Sequence, residues 1–225
     1  MNLTQKSYEQ IRESLLTDDS LTEQRLSINQ LSQQLGIGRS PVRDAINRLA
    51  AEGLLQPVAK SGVVVRKVSY EELRDIVGLR EALEPYAAEC ACLRMDYTQL
   101  EELRSLCFEF ARLARRVRDD NFNDREVRRQ MQRADWRFHG IILAAAENPT
   151  LHKIVEDHHL LLRKVRYPSL QSVQHLALTV REHWRLYQAL SRRDARGAAR
   201  WMHRHAHRGG KAMLKSWEEV YLERT

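Results

Sequence analysis

The sequence predicts a mostly α-helical chain in two domains: a small N-terminal domain over residues 1–68 with a two-stranded wing, and an antiparallel all-helical bundle of about six helices over residues 69–225. Apolar residues recur at helical spacing through most of the chain. Two short runs between residues 54 and 68, which are predicted to be strands, are the exception. The sequence Ser69-Tyr-Glu-Glu follows at once, and such a capping box marks the start of a new helix.

Composition excludes several classes of protein. Hydrophobic residues make up 43% and charged residues 30% of the chain, as in globular proteins. No apolar run could span a membrane and MNLTQKSYEQ has no signal core, so we expect a cytoplasmic protein with no membrane partner. The net charge of +7 is weak evidence for nucleic acid, because residues 1–68 hold 9 Lys and Arg against 7 Asp and Glu, and residues 69–225 hold 28 against 23.

Three cysteines fall in the helical patterns of the second domain: Cys90, Cys92 and Cys107. An odd number of cysteines without a CxxC pair argues against a disulfide framework or a zinc ribbon. We expect them to be small buried residues in a reducing compartment.

The first two helices follow from periodicity. A helix is predicted over residues 6–16, with Tyr8, Ile11 and Leu15 on one side, and a polar loop over residues 17–25. Ser27 is placed to cap a second helix. That helix carries Ile28, Leu31 and Leu35.

The third helix begins after a glycine-containing turn. Gly36 and Gly38 permit tight backbone angles, and Ser40 before Pro41 is typical of a cap and a first helical position. One face is apolar and is expected to be buried: Val42, Ala45, Ile46 and Leu49. The start and the outward side carry the charged residues Arg39, Arg43, Asp44 and Arg48. This is a helix-turn-helix layout, in which the second helix enters the DNA major groove.

Two short strands over residues 54–58 and 63–68 are predicted next, joined by a turn at Lys60, Ser61 and Gly62. Lys60 and the backbone N–H groups near Gly62 could reach phosphate or the minor groove. Alone, this hairpin would be interpreted as a solvated turn. Its position directly after a recognition helix favours a DNA-contacting wing.

The second domain is divided by caps and breaks. Pro85 is expected to kink or break the first of its helices, a second capping box is predicted at Thr98, and Asn148-Pro149 ends a later helix. The predicted helices cover residues 70–94, 98–118, 124–147, 151–167, 172–190 and 194–222.

Four side chains of this bundle form a candidate metal site. Asp135 and His139 stand four residues apart on one helix, and His183 shares a face with apolar neighbours. On the last helix His205 lies on the apolar face, whereas His203 and His207 are expected to be solvated. One carboxylate and three imidazoles suit zinc or a similar divalent cation, although buried histidines more often satisfy hydrogen bonds.

The N-terminal segment LSINQLSQQLGIGRSPVRDAINRLAAEGLLQPVAKSGVVV resembles the winged helix-turn-helix of GntR-type bacterial transcription regulators. The matching residues are Arg39, Pro41, Val42, Arg43, Asp44, Ala45, Leu49, Gly53, Leu54 and Gly62. Gly38 stands where the family more often has serine or threonine. Together, the helix and wing pattern and the resemblance predict these DNA-binding residues: Arg39, Ser40, Arg43, Asp44, Arg48, Lys60 and Gly62.

The segments ADWRFHGIILAAAENP, EHWRLYQAL and RDARGAARWMHRH resemble the FCD domain, the helical ligand-binding domain of many GntR regulators. The metal ligands that this implies are Asp135, His139, His183 and His205. The ion expected from this donor set is zinc, with nickel or manganese as alternatives, and the resemblance implies a small carboxylate effector. Arg80 matches an arginine that often lines the cavity and could hold a carboxylate, or it could be a surface arginine paired with Glu84.

The function expected from these features is that of a ligand-responsive DNA-binding regulator, a homodimer that reads a palindromic operator and is nucleoid-associated when bound. A metal-dependent hydrolase on the bundle is the alternative, with only Glu182 or His203 as weak candidates for a general base. A third interpretation is a dimerisation module without a ligand. The effector, the operator and the choice between repression and activation stay open.

Overall fold

The computed structural model describes residues 2–17, 25–58, 62–66, 68–119, 124–155, 158, 162 and 173–221. The chain falls into two compact units, Met1–Val68 and Ser69–Thr225. In the part that is described, no helix is both long enough and apolar enough to cross a membrane.

The first unit combines three helices with a small antiparallel sheet. The helices are α1 (Leu3–Thr17), α2 (Ile28–Leu35) and α3 (Arg39–Ala51). The strands are β1 (Arg25–Leu26), β2 (Leu55–Pro57) and β3 (Val63–Val65), in the order β1-β3-β2. The predicted pair β2 and β3 is therefore joined by a third strand, since Arg25 pairs with Val64. A strand of two residues has no periodicity that a sequence could reveal.

The caps of this unit match the sequence at one helix and differ at the next. Ser27 Oγ accepts a hydrogen bond from the Gln30 N–H at 3.1 Å, and Gly36 ends α2 in the left-handed region at φ 63°. The predicted Ser40 cap is wrong, because α3 already begins at Arg39 with Gly38 as the capping residue and no side-chain cap. The predicted apolar stripe is confirmed as buried: Val42, Ala45, Ile46 and Leu49.

The second unit is helical throughout its described residues. Its helices are α4 (Tyr70–Arg94), α5 (Tyr97–Asp119), α6 (Arg125–Ala145), α7 (residues 149–155), α8 (Val173–Ser191) and α9 (Ala195–Tyr221). Helix α4 packs along α9, and α5 packs on α6 and α8. The predicted mostly helical fold class with a small wing is confirmed, and the later part of the helix predicted over residues 151–167 lies mainly outside the described residues.

One detail of the bundle differs from the sequence prediction. Helix α5 is capped at Asp96, whose Oδ1 accepts the Gln99 N–H at 2.8 Å while Gln99 Oε1 accepts the Asp96 N–H at 2.9 Å. The capping box at Thr98 is therefore wrong by two residues. The Ser69 cap is confirmed, since its Oγ accepts the Glu72 N–H at 3.2 Å. Helix α4 also continues through Pro85 without a break.

The cysteines are free thiols, as expected. Cys92 and Cys107 are buried, and Cys90 is partly exposed. Burial raises the pKa of the Cys107 thiol to about 12, which keeps it protonated and unreactive.

Candidate nucleic-acid interface and metal centre

The outer side of α3 presents charge to solvent. Arg39, Ser40, Arg43 and Asp44 are all exposed, while the opposite flank of the helix is buried. Within the part of the chain that is described, neither Arg39 nor Arg43 makes a hydrogen bond or ion pair. Both guanidinium groups are thus available to a ligand. An exposed arginine near the N-terminus of a recognition helix is well placed to contact base edges or phosphate.

Arg48 lies on the same helix but contacts α1 and the end of α3. Its Nε is 3.1 Å from Glu52 Oε1, its Nη1 donates to Gln5 Oε1 at 3.0 Å, and its guanidinium carbon lies 3.9 Å from the centre of the Tyr8 ring. The phenol of Tyr8 in turn donates to Glu52 Oε2 at 2.7 Å. Burial, followed by the contact with Glu52, raises the pKa of Tyr8 to about 12. Arg48 therefore helps to hold α3 against α1.

The wing turn is described only in part. Lys60 lies outside the described residues. Gly62 adopts φ 128°, and a Cβ atom at this position would lie 2.5 Å from the carbonyl oxygen of Leu26. The fold itself therefore requires glycine here, because a side chain would collide with the backbone of β1.

Asp135, His139, His183 and His205 meet inside the second unit. One possible ligand atom from each residue lies within 4.8 Å of all the others, and all four residues are buried. Helix α6 supplies Asp135 and His139, whose spacing of four places them one turn apart on the same face. Helices α8 and α9 supply His183 and His205. The structure thus brings the four predicted metal ligands together.

The ligand atoms converge closely. His139 Nε2 lies 3.1 Å from His205 Nε2, and His183 Nε2 lies 3.3 Å from Asp135 Oδ1. His139 Nε2 is also 3.9 Å from Asp135 Oδ1. The Phe138 ring stacks on His183, with 4.4 Å between the ring centres and 18° between the planes, so it orients that imidazole.

Two buried glutamates stand behind two of these imidazoles. Glu182 Oε2 accepts from His205 Nδ1 at 3.2 Å, and Glu84 Oε2 lies at the same distance from His139 Nδ1. Sequence reasoning missed Glu84 in this position and considered Glu182 only as a weak general base. A carboxylate on the second ring nitrogen is a recurring partner of metal-binding histidine.

The protonation states fit this arrangement. Burial, supported by the other two histidines and opposed by Glu182, lowers the pKa of His205 to about 3, so this imidazole is neutral near pH 7. Burial alone would raise the pKa of the Glu182 carboxyl, but hydrogen bonds from His205 and Arg208 outweigh it and hold that pKa at about 2. A neutral imidazole beside an ionised carboxylate carries its proton on Nδ1 and leaves the Nε2 lone pair available.

The cluster therefore fits a divalent cation. When the glutamates accept from both Nδ1 atoms, His139 and His205 present two Nε2 lone pairs to each other across 3.1 Å. Two acceptors at that distance repel unless a cation or a proton lies between them. Three imidazole nitrogens and one carboxylate oxygen are the donor set that zinc and similar borderline cations prefer.

The other histidines of α9 lie away from this cluster. His203 is exposed, as predicted. His207 is only partly exposed, and its Nδ1 lies 3.1 Å from Glu81 Oε2 on α4. His207 is therefore solvated in part, with its side chain 45% exposed, and α4 also packs close enough to supply it with a carboxylate.

Arg80 is buried and paired with Glu84. Its Nε and Nη2 donate to the two carboxylate oxygens at 2.6 and 3.3 Å. The alternative prediction, a surface arginine paired with Glu84, names the right partner, but both side chains are almost fully buried. Burial acts to lower the pKa of Arg80, yet Glu84 outweighs it and the pKa is raised. In the described part of the chain Arg80 Nη1 has no hydrogen-bond partner, so one donor is unused.

Two protein-family models match the chain. The model described as "Bacterial regulatory proteins, gntR family" matches residues 3–65, and the model described as "FCD domain" matches residues 75–208, more than half of the chain. The first match covers α1 to β3. The second contains the four-residue cluster and Arg80.

Individual relatives agree with these models. The chain is 27% identical over 181 residues to the HTH-type transcriptional repressor RspR of Escherichia coli (strain K12), which covers 80% of this chain and 75% of that protein. It is 29% identical over 161 residues to the Nta operon transcriptional regulator of Aminobacter aminovorans, over 69% and 72% of the two chains. The solved structure of E. coli McbR/YncC has the same fold, with a TM-score of 0.78 and 20% identity over all of both chains.

Proposed function

We propose that this transcription regulator, which belongs to the gntR family of bacterial regulatory proteins and carries an FCD domain, responds to a small carboxylate bound beside a divalent metal ion in its helical unit. The observation that carries the proposal is the buried cluster of Asp135, His139, His183 and His205. Zinc is the ion we expect to find there, with nickel or manganese as alternatives.

The DNA contacts are assigned to the outer side of α3. Arg39 and Arg43 are proposed to reach base edges or phosphates, and Ser40 and Asp44 to lie at the same surface. Arg48, Lys60 and Gly62 are proposed to contact the phosphate backbone. A homodimer would place two such helices on a palindromic operator. Support for repression comes from the name of RspR, and we propose that the protein acts in the cytoplasm, at the nucleoid when bound to DNA.

The charges around the cluster favour an anionic effector. Asp135, Glu84 and Glu182 carry three negative charges, and the guanidinium groups that pair with the two glutamates carry two positive charges. A divalent cation would change this balance from one net negative to one net positive charge. A buried positive charge favours a monoanion, and a carboxylate supplies one. The unused Nη1 of Arg80 is the proposed donor to that carboxylate.

The hydrolase alternative is not supported. Family membership makes the chain a transcription regulator and not an enzyme. The geometry agrees, because Glu182, once considered as a general base, is held by His205 and Arg208 with a pKa of about 2. A carboxylate so weakly basic is poorly suited to removing a proton near pH 7.

A gel-retardation experiment with the full chain tests the proposal. The protein is loaded with Zn²⁺ and mixed with a duplex that carries its own promoter region, with and without a panel of small mono- and dicarboxylates. We expect one retarded complex whose amount changes with at least one carboxylate, and we expect the change to disappear in Arg80→Gln. Retardation that no carboxylate alters with metal present would overturn the effector proposal and leave the DNA-binding function standing.

A further inference from the structure

Two chains of three side chains lead from arginine to the cluster, and each has the same order. Arg208 pairs with Glu182, which accepts from His205; Arg80 pairs with Glu84, which lies against His139. We infer that these two Arg–Glu pairs are positioning residues, which fix the two imidazoles so that both Nε2 atoms face the metal. The inference rests on the metal site proposed above.

The Arg208 pair is held from several directions. Arg208 Nε donates to Glu182 Oε1 at 2.9 Å, and Arg208 Nη2 donates to Glu182 Oε2 at 2.6 Å. The same Nη2 donates to Thr179 Oγ1 at 2.8 Å, and Nη1 lies 3.0 Å from His175 Nδ1. All three contacted residues belong to α8. The planar guanidinium thus fixes the Glu182 carboxylate on α8 in the orientation that His205 of α9 requires.

The Arg80 pair repeats this pattern within one helix. Arg80 and Glu84 stand four apart on α4, and the carboxylate oxygen that accepts Nη2 is the one that lies 3.2 Å from His139 Nδ1. Both side chains are almost fully buried. The two pairs therefore reach the cluster from different helices and end at the two imidazoles that face each other.

The need for the arginines follows from electrostatics. A carboxylate on Nδ1 fixes the tautomer, orients the ring and raises the basicity of Nε2. Without its arginine, each carboxylate would be a buried and unpaired charge with a large desolvation cost, and nothing would hold its oxygens against Nδ1. The paired guanidinium balances the carboxylate charge and holds both of its oxygens in place. Each arginine therefore acts on the metal through a glutamate and a histidine.

Zinc affinity of the full chain, measured by competition with a chromophoric chelator, tests this inference. Glu182→Gln and Glu84→Gln keep the side-chain shape and remove the charge, and we expect each to weaken binding by about 10–100-fold. Arg208→Gln is also expected to weaken zinc binding. Arg204→Gln is the matched control, because Arg204 also lies on α9 but is 66% exposed, and its Nε is as far as 3.9 Å from Glu182 Oε1, so that solvent screens this contact. It should bind zinc as the unchanged protein does.

Two further measurements separate positioning from general stability. The visible spectrum of the Co²⁺-loaded protein reports ligand geometry, so it should change in Glu182→Gln and remain unchanged in Arg204→Gln. Arg208→Lys keeps the positive charge but cannot donate to both Glu182 oxygens in the same planar geometry. This variant should fold and should bind zinc less tightly than the unchanged protein. If the unchanged chain binds none of Zn²⁺, Ni²⁺ and Mn²⁺, the metal site and this inference both fall. If it binds zinc and the glutamate and arginine variants match Arg204→Gln, the inference alone is overturned.

Discussion

The outer side of α3 and the centre of the helical unit use arginine in opposite ways. On α3, Arg39 and Arg43 stand in solvent without a partner in the described residues. In the helical unit, Arg80 is almost fully buried and bound to Glu84. A guanidinium in water can move to a phosphate with little loss of existing contacts. A buried one is already committed to a carboxylate and serves as part of a fixed framework.

Arginines that bind a ligand can be distinguished from arginines that support the fold. Exposure alone is a poor guide, since Arg48 is half exposed and yet contacts Glu52, Gln5 and Tyr8. The useful question is whether the donor atoms are already used. By that criterion Arg43 is a binding residue, Arg48 is mainly a supporting residue, and Arg80 is both, because only its Nη1 is unused.

The largest effect is expected from His139→Ala. The substitution removes a ligand at the centre of the cluster, so zinc affinity should fall by more than about 100-fold, beyond the 10–100-fold typical of an outer partner. At a metal concentration of about 100 times the dissociation constant, bound metal stabilises the folded state by about 2.7 kcal/mol, and that contribution should be lost. Elemental analysis and thermal melting of the purified variant measure both effects.

His203→Ala is the matched control for this experiment. It removes an exposed histidine from α9 and should leave the metal content and the melting temperature unchanged. Full metal content in His139→Ala would reject the ligand set.

A smaller effect on a different property is expected from Arg43→Ala. The loss of an exposed, uncommitted guanidinium should weaken operator binding by about 1–3 kcal/mol and leave the melting temperature unchanged. Fluorescence anisotropy with the promoter duplex at two salt concentrations measures the affinity and its salt dependence. Arg112→Ala, which removes an exposed arginine from α5, controls for the change in net charge. Equal binding by the two variants would show that α3 is not the DNA-reading helix.

The smallest effect is expected from Arg48→Ala, which allows Arg48 to be compared with Arg43 on the same helix. The side chain is 52% exposed, so solvent screens its ion pair, and the loss of that pair and of the stacking on Tyr8 should cost about 0.5–1 kcal/mol of stability. Chemical denaturation measures this change. DNA affinity should fall less than in Arg43→Ala. An Arg48→Ala protein of unchanged stability and strongly reduced affinity would show that Arg48 acts only as a phosphate contact and does not support α3.

Much of the architecture follows from local sequence signals. Periodicity alone places Val42 and Ile46 inside, and the serines at the starts of α2 and α4 cap as predicted. Such features depend on a few neighbouring residues. The cap of α5 was misplaced because Asp96 and Thr98 both begin an acceptable capping sequence, and only the three-dimensional context selects between them.

The buried face of α4 is harder to predict from the sequence, because it includes charged residues. Hydrophobicity alone would place Leu79 on the buried face, yet it is 42% exposed while Arg80 and Glu84 are buried. A signal for this was present in the spacing. The buried positions of α4 recur every three or four residues: Leu73, Ile76, Val77, Arg80, Glu84, Ala87, Ala88 and Ala91. A charged pair on such a stripe indicates a buried ion pair.

The four metal ligands could be proposed from sequence, but their outer partners could not. Asp135 and His139 share one helix face, and this is a local property. The contact of Glu84 on α4 with His139 on α6 depends on how two helices pack, which spacing within either helix does not contain. Glu182 could only be placed once α8 and α9 were known to lie side by side.

Native mass spectrometry of the full chain, purified without added metal, tests whether the four-residue cluster holds a metal ion. We expect one divalent ion per chain in the unchanged protein and none after His139→Ala. The same spectra would report any copurified small anion and the number of chains in the assembly. If the chain carries no ion as purified and still takes up none after incubation with Zn²⁺, Ni²⁺ or Mn²⁺, the four-residue cluster is not a metal site.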